Sequence, residues 1–381
     1  MSDRLRVCLV SAAYYPYPSG VSEHVHHLAI ALRDLGQEVE ILTTRYPART
    51  EVPEPVPVTR VGRAVLVPMN RSYATLPVGL RMAGQVKRFL APGRFDVVHC
   101  HGFGWPELSY WATVHSRSVT LVSLLTAGFR ITTAGGGLFR RLFGHQLRRI
   151  DALVPISRRA LDAVRAYLPI RARIIPSGVD LDRFRPGLEP LPAPGPGPRI
   201  LFLGRLDRRK GVDVAIRALA AVRRRLPGAV MTVVGSGPEE GRARRLVAGL
   251  GLAGAVTFTG RAGWDELPRY YTGCDVYCAP TLGGETLGIV LLEAMAAGAP
   301  VVASRIPGYD ETVRDGTDGL LAPPGDPDAL AAAIARVLTD EPLRRRLRAS
   351  GLARARDYAW PEIGRRTLDF YRELLQERRQ A

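Results

Sequence analysis

The chain has 381 residues, 46% hydrophobic and 23% charged, a balance that suits a folded protein with a sizeable core and, at roughly 150 residues per domain, two domains or slightly more. Its formal charge of +17 favours anionic partners, whether nucleic acid, phosphorylated small molecules or an anionic lipid surface, without choosing among them. No 18 apolar residues run uninterrupted, since Glu293 splits the best candidate, so no membrane-spanning helix is expected.

The four cysteines, Cys8, Cys100, Cys274 and Cys278, include no CxxC, and they read as reduced thiols of a cytosolic protein rather than a zinc site. The opening MSDRLRVCLVSAAYYP places a basic residue before only about seven apolar ones, too short a run for a secretion signal. It reads as a first strand, RVCLVS (6–11), followed by a Tyr/Pro loop, Gly20, the helical pattern VSEHVHHLAIALRDLG and the strand EVEILTT (38–44). In PVGLRMAGQVKRFL (77–90), helical spacing gathers Met82, Val86, Phe89 and Leu90 on one arc and Arg81 and Arg88 on the other. The segment FRRLFGHQLRRI (139–150) repeats the mixture, and both segments suit either packing on a sheet or resting on anionic headgroups.

Further on, PGLEPLPAPGPGP (186–198) is too rich in Pro and Gly for helix or strand and reads as a semi-rigid linker. Beyond it the first pattern returns: strand RILFLG (199–204), a basic loop ending at Gly211, helix VDVAIRALAAVRRRLPG and strand AVMTVVG (229–235). Buried strands alternating with helices imply parallel sheets joined by right-handed crossovers, hence an α/β chain of two doubly wound, Rossmann-like domains. The expected division is 1–185, linker 186–198, 199–355, and a last amphipathic helix over 356–381. Ligands of such sheets lie beyond the carboxyl ends of the strands, so the loops there carry the chemistry.

Three of those loops favour a nucleotide sugar. In GRLDRRKG (204–211), Arg205 offers a planar fork and Lys210 a point charge, which together neutralise a phosphate pair; the alternative is a solvated basic loop. Gly20, at a helix opening, lets backbone N–H groups approach a phosphate oxygen. In GGETLGIVLLEAMAAGAPVVAS (283–304), Glu285 precedes a helix and Glu293 lies about a turn inside it. Carboxylates accept hydrogen bonds from vicinal hydroxyls, so one can grip a sugar ring and the other a ribose, with N–H groups near Leu287 and Gly288 aimed at the phosphate between them. GSGPEE (235–240) begins like a dinucleotide fingerprint, but Glu240 takes the place of its third glycine and no acidic residue follows at the required distance. No recognised nucleic-acid module is present either.

The stretches SGVSEHVHHLAIAL, IIPSGVDLDRF, FLGRLDRRKG, VVGSGP, FTGR and GGETLGIVLLEAMAAGAPVVAS, in this order, resemble the retaining GT-B glycosyltransferases of family 4, and RAVLVPMNRSYATL (63–76) with CAPTLGGETLGIVLLEAMAAG is most similar to the phosphatidyl-myo-inositol mannosyltransferases. The resemblance implies two Rossmann-like domains facing a central cleft, with the first binding the acceptor and the last helix crossing back to it. It implies that Glu285 contacts the transferred hexose and Glu293 the ribose, that Arg205 and Lys210 hold the diphosphate, and that Gly20 meets the distal phosphate. Arg261, Thr286, Leu287, Gly288 and Ile289 complete the donor set, and Tyr14, Asn70, Ser72 and Thr126 are the acceptor candidates.

No cofactor or metal is expected, because cationic side chains and a helix N-terminus stabilise the leaving diphosphate; Asp180 and Asp182 match a short metal pattern but fall in the GVDLDRF loop. The implied partners are a nucleotide sugar, with a GDP-sugar favoured over a UDP-sugar, a lipid-linked or polyol acceptor, and an anionic membrane surface on the inner face of the cytoplasmic membrane. One departure stands out: where the family carries a histidine after a first-domain strand, TLVSLLTAGFR places Leu125, with Thr126 next. His99 and His101 of DVVHCHG are nearby replacements or else structural residues. A scaffold that keeps the donor site and has lost acceptor chemistry is the rival of another class.

Overall fold

The computed structural model describes residues 4–17, 19–46, 54–69, 72–103, 107–126, 143–166, 168–191 and 195–380. Two compact units emerge, Met1–Gly178 with Trp360–Ala381, and Val179–Ala359.

The first unit carries a seven-stranded sheet in the order β4-β3-β2-β1-β5-β6-β7. Its strands are β1 (Arg6–Val10), β2 (Glu38–Arg45), β3 (Val58–Met69), β4 (Ser72–Val78), β5 (Val97–His101), β6 (Val119–Leu124) and β7 (Ala152–Pro155). Every neighbouring pair is parallel except β3 with β4, an antiparallel edge pair. The sequence left that pair unassigned, because Pro68 and Pro77 interrupt its apolar run and prolines are tolerated chiefly at edges. All five residues of β5 are buried, which is why it reads as a continuous run rather than an alternation. Helices α1 (Gly20–Asp34), α2 (Met82–Phe89), α3 (Leu108–His115) and α4 (Arg158–Arg165) flank the sheet. Ser19 caps α1 by accepting a hydrogen bond from the Ser22 N–H, and Val25, Leu28 and Leu32 turn inward at helical spacing.

The second unit carries a six-stranded, wholly parallel sheet, β10-β9-β8-β11-β12-β13. Its strands are β8 (Arg199–Leu203), β9 (Val230–Val234), β10 (Val256–Gly260), β11 (Val276–Ala279), β12 (Val301–Ser304) and β13 (Leu320–Ala322), flanked by α5 (Val212–Arg223), α6 (Glu240–Gly249), α7 (Leu267–Thr272), α8 (Ile289–Ala296), α9 (Tyr309–Thr312), α10 (Pro327–Thr339) and α11 (Glu341–Arg356). The last helix, α12 (Trp360–Gln380), belongs to the first unit, where Trp360, Ile363, Phe370 and Tyr371 join the core beside Val25 and Leu32. Gly364 permits close packing, since a β-carbon there would lie 2.8 Å from Ala31 Cβ.

The chain first leaves the first unit at Gly178, ahead of the Pro/Gly stretch expected to divide it. Residues 179–185 are tied to the second unit through the Phe184 ring, 5.9 Å from Tyr271, and the Arg183 guanidinium, 3.3 Å above Trp264. Residues 356–359 are held there as well, by the Val179 N–H donating to the Tyr358 carbonyl at 2.8 Å. The strand order reverses between β1 and β5 in one sheet and between β8 and β11 in the other, which marks the carboxyl ends of those four strands as the ligand-binding positions.

Candidate functional site

In the second unit, the loops after β8 and β11 lie side by side because their strands are neighbours. The β8 loop forms a 3₁₀ turn over Arg208–Lys210, started by the Asp207 carboxylate, which accepts from the Arg209 N–H at 2.9 Å and from the Arg209 guanidinium at 3.0 Å. Burial alone would raise the pKa of Asp207, but these bonds outweigh it and hold the carboxylate below its ordinary range. The turn ends at Gly211 in the left-handed region (φ 69°), where a β-carbon would collide with the Pro280 carbonyl of the β11 loop. The Leu282 N–H donates to the Arg209 carbonyl at 2.7 Å and ties the two loops together.

That tie brings Lys210 to Glu285 across 75 residues of sequence, with Nζ 2.7 Å from Oε1 and side chains only 20% and 18% exposed. Glu285 leads into Thr286, Leu287 and Gly288, and α8 begins at Ile289 with its first-turn N–H groups, which have no partner inside a helix. Gly288 (φ 78°) lies against the Tyr309 ring, and the Tyr309 hydroxyl is 3.0 Å from Thr281 Oγ1, so this helix start is braced from below. One turn in, Glu293 Oε2 accepts from the Tyr271 hydroxyl at 3.0 Å. Burial raises the Tyr271 phenol far above its ordinary range, and the adjacent Glu293 adds to the effect, so the phenol stays protonated and donates.

Arg205 is exposed directly after Gly204, and Arg261, beyond β10, donates from Nε to Ser236 Oγ at 3.0 Å. The loops carrying Arg205, Ser236, Arg261 and Glu285 thus follow the carboxyl ends of β8, β9, β10 and β11 in one sheet. Asp180 Oδ1 accepts from the Asp182 and Arg183 N–H groups at 3.0 and 3.1 Å and serves to shape its own loop. The sequence reading missed three supports: Asp207, Arg209 and Tyr271. RRK and RYY gave no sign of which cation closes the turn or which tyrosine reaches a carboxylate.

In the first unit, Gly20 opens α1 with no atom within 4 Å of where a β-carbon would sit. Tyr14, an acceptor candidate, is 1% exposed, and its hydroxyl lies 3.0 Å from His26 Nδ1, so its ring belongs to the core. Ser72 opens β4, and Thr126 is exposed just beyond β6 with Leu125 half-buried before it. Asn70 lies outside the described residues, as does the 139–142 part of the second basic segment. On α2 the apolar arc of Met82, Val86 and Phe89 is buried in its own unit, and Leu90 with it. Only the basic arc of Arg81, Lys87 and Arg88 is left at the surface.

A pair of parallel α/β units, with a cation and a carboxylate joined at the switch point of the second, defines a glycosyltransferase of the GT-B fold. The chain belongs to the family 4 glycosyltransferases: the family description Glycosyltransferase Family 4 matches residues 18–183 and Glycosyl transferases group 1 matches residues 188–354. It is 34% identical, over 96% of both chains, to a phosphatidyl-myo-inositol mannosyltransferase of Mycobacterium leprae. It is 33% identical to a D-inositol 3-phosphate glycosyltransferase of Acidothermus cellulolyticus, over 95% of this chain and 87% of that one. Among solved structures it is similar to a sucrose-phosphate synthase of Thermosynechococcus elongatus, with a TM-score of 0.74 and 26% identity over 98% of this chain and 100% of that one.

Proposed function

We propose that this enzyme transfers a hexose, mannose from GDP-mannose, to a lipid-linked acceptor such as phosphatidylinositol, with retention at the anomeric carbon and without a metal. The observation that carries the donor half is the Lys210–Glu285 pair at the mouth of α8. Lys210 and Arg205 supply positive charge for the diphosphate, and the N–H groups at the start of α8 offer donors to a phosphate oxygen. Glu285, held by Lys210, orients the hexose, and Glu293, oriented by Tyr271, accepts from the ribose hydroxyls. From the first unit, the start of α1 at Gly20 offers backbone N–H groups to a phosphate oxygen.

The acceptor oxygen bonds to the anomeric carbon on the face that the diphosphate leaves. The breaking carbon–oxygen bond gives its electron pair to the phosphate, and the acceptor proton passes to that same phosphate oxygen. Cations fixed in advance lower the barrier, because they act on charge that develops only as the bond breaks.

The acceptor half is supported by the relatives named for phosphatidyl-myo-inositol. It is supported too by a basic hollow of about 1020 Å³ lined by Arg81, Lys87, Arg88, Arg117 and Arg149. Beside it, a second hollow of about 850 Å³ is lined by Leu76, Val78, Leu80 and Trp111, with Leu80 fully exposed. A peripheral seat on the anionic inner face of the cytoplasmic membrane follows, with contact made by charge and Leu80, since the apolar arc of α2 is buried. No helix among the described residues is long and apolar enough to cross a membrane. The second reading, a UDP-sugar donor with a soluble acceptor, draws on the relative named for inositol 3-phosphate.

A thermal-shift panel of GDP, UDP and ADP sugars, followed by product analysis with phosphatidylinositol and with inositol phosphate, tests both. Stabilisation by GDP-mannose and a mannosylated lipid are expected; stabilisation only by a UDP-sugar overturns the donor assignment. Donor binding without any release of nucleoside diphosphate favours the scaffold reading. Sedimentation with anionic and with neutral vesicles, repeated in high salt, tests the membrane seat, and equal binding to both rejects it.

A further inference from the structure

Thr312, at the end of α9, is wholly buried against the loop that leads into α8. Its hydroxyl donates to the Leu287 carbonyl at 2.6 Å; the Gly308 carbonyl, one turn back in its own segment, lies at 3.3 Å, so the single proton serves the nearer acceptor. The residues before Thr312 close on the same loop. A β-carbon on Gly308 (φ 98°) would lie 2.9 Å from the Thr286 carbonyl oxygen and 3.0 Å from that of Glu285, and one on Gly288 would strike the Tyr309 ring at 2.5 Å. The segment from Gly308 to Thr312 thus touches each residue from Glu285 to Gly288.

The hydroxyl fixes the direction of one peptide. A trans peptide is planar with its C=O and N–H antiparallel, so a Leu287 carbonyl held toward Thr312 turns the Gly288 N–H to the opposite side of the loop. Glycine makes that orientation easy to lose. At Gly288 (φ 78°) no side chain resists rotation of the preceding peptide, and a buried carbonyl deprived of its donor turns to find another, taking the N–H with it. Among the described residues no acceptor takes the Gly288 N–H. It opens the same helix start as Glu285 and Thr286, both half-buried, with Glu285 on Lys210. A diphosphate beside Lys210 draws on that N–H only while the peptide stays locked.

We propose that Thr312 is a positioning residue of the donor site: its hydroxyl locks the Leu287–Gly288 peptide with the N–H turned to the diphosphate, so that α9 sets the donor geometry without touching the ligand. This rests on the glycosyltransferase reading and adds to it the side chain that orients the backbone donor.

The test compares Thr312→Val, which keeps the shape and removes the hydroxyl, with Thr312→Ser, which keeps the hydroxyl. Ligands are GDP and guanosine, which shares the base and ribose but has no phosphate; UDP and uridine replace them should the wild type bind only those. For Thr312→Val, affinity for the diphosphate and kcat with GDP-mannose and phosphatidylinositol in mixed micelles are each expected to fall by about tenfold, with the nucleoside bound as in the wild type. Thr312→Ser is expected to recover most of both losses. A merely structural threonine would weaken diphosphate and nucleoside in parallel, and that result overturns the proposal. So does a folded Thr312→Val protein with diphosphate affinity and kcat near those of the wild type. Should the valine variant not fold, NMR of the wild type decides: ¹³C-carbonyl leucine with ¹⁵N-glycine confines the spectrum to the five Leu–Gly peptides, and Leu287→Met identifies the signal of Gly288. A Gly288 amide that shifts with the diphosphate and not with the nucleoside supports the assignment; one that does not move overturns it. A wild-type protein that binds no nucleoside diphosphate marks instead the failure of the donor reading.

Discussion

Replacing Lys210 with alanine separates two tasks that one ammonium performs. With no donor present, Lys210 lies 2.7 Å from Glu285 and both side chains are about four-fifths buried, at 20% and 18% exposure. Two unit charges at about 4 Å and an effective dielectric near 20 attract by about 4 kcal/mol, and desolvation offsets part of that. Exposed pairs contribute about 0–1 kcal/mol, and breaking a buried one costs about 3–5, so this half-sheltered pair should lose about 2 kcal/mol when one partner is removed. At about 2–4 °C per kcal/mol for units of this size, the Lys210→Ala melting point should fall by about 4–8 °C. Removing Glu285 as well leaves no unpaired charge, so the double variant should regain most of that loss.

Activity should follow the opposite logic. Losing one preorganised charge aimed at the leaving group lowers kcat by about 10²–10³. In Lys210→Ala the bare Glu285 carboxylate then stands beside a diphosphate and adds repulsion. The double variant should remain as inactive as the single ones, because neither the phosphate charge nor the sugar contact is restored. Melting curves and initial rates across the four-member cycle measure both effects. A Lys210→Ala enzyme with near wild-type rates, or a double variant that recovers turnover together with stability, would refute the assignment of this pair to the donor site.

Two glycines, Gly211 and Gly20, should part in the same way. Gly211→Ala forces a side chain into a left-handed backbone and onto the Pro280 carbonyl, so it should destabilise by about 1–3 kcal/mol and weaken donor binding. Gly20→Ala meets open space, so its melting point should match the wild type while transfer falls; a large drop in Tm would contradict its proposed phosphate role. Acid should loosen the first unit: burial, aided by nearby His27, lowers His24 to about 4, so the folded state binds fewer protons than the unfolded one below about pH 6.5. His24 alone should then cost up to about 1.4 kcal/mol of stability per pH unit between about 6.5 and 4, adding to the same effect from His26 and His99, and His24→Asn should remove its share of the slope in a denaturant titration. Glu107 runs the other way. Burial raises it to about 8, so stability drains as pH climbs from about 4.5 towards 8, and Glu107→Gln should gain on the wild type most at alkaline pH.

How far the fold could be read in advance depended on how local its signals were. Strands such as RILFLG and VVHCHG are buried runs, and helices such as VDVAIRALAAVRRRLPG keep a 3.6-residue period, so the repeated α/β pattern is written in short windows. The positions of Glu285 before a helix and Glu293 a turn inside it were likewise legible, because the apolar run between them has helical length. The β3–β4 edge pair was not, since its prolines break the period that marks a strand.

By itself, the amino-acid order settled the α/β architecture of largely parallel sheets and the family, and it supplied the residue types from which a donor site is proposed, all of which are properties of neighbouring positions. It could not settle which residues meet. Lys210 rather than Arg209 reaches Glu285 because Gly211 turns the chain beneath Pro280, and Tyr271 rather than Tyr270 finds Glu293 because it is the one buried at the helix contact. His99 and His101 look alike in DVVHCHG, yet only His99 meets the hydroxyls of Tyr371 and Ser123. The chain also passes from one unit to the other at Gly178 rather than in the Pro/Gly stretch, because Phe184 and Arg183 anchor the intervening residues to distant aromatic partners. Such pairings depend on long-range burial and loop closure, which no window of sequence contains.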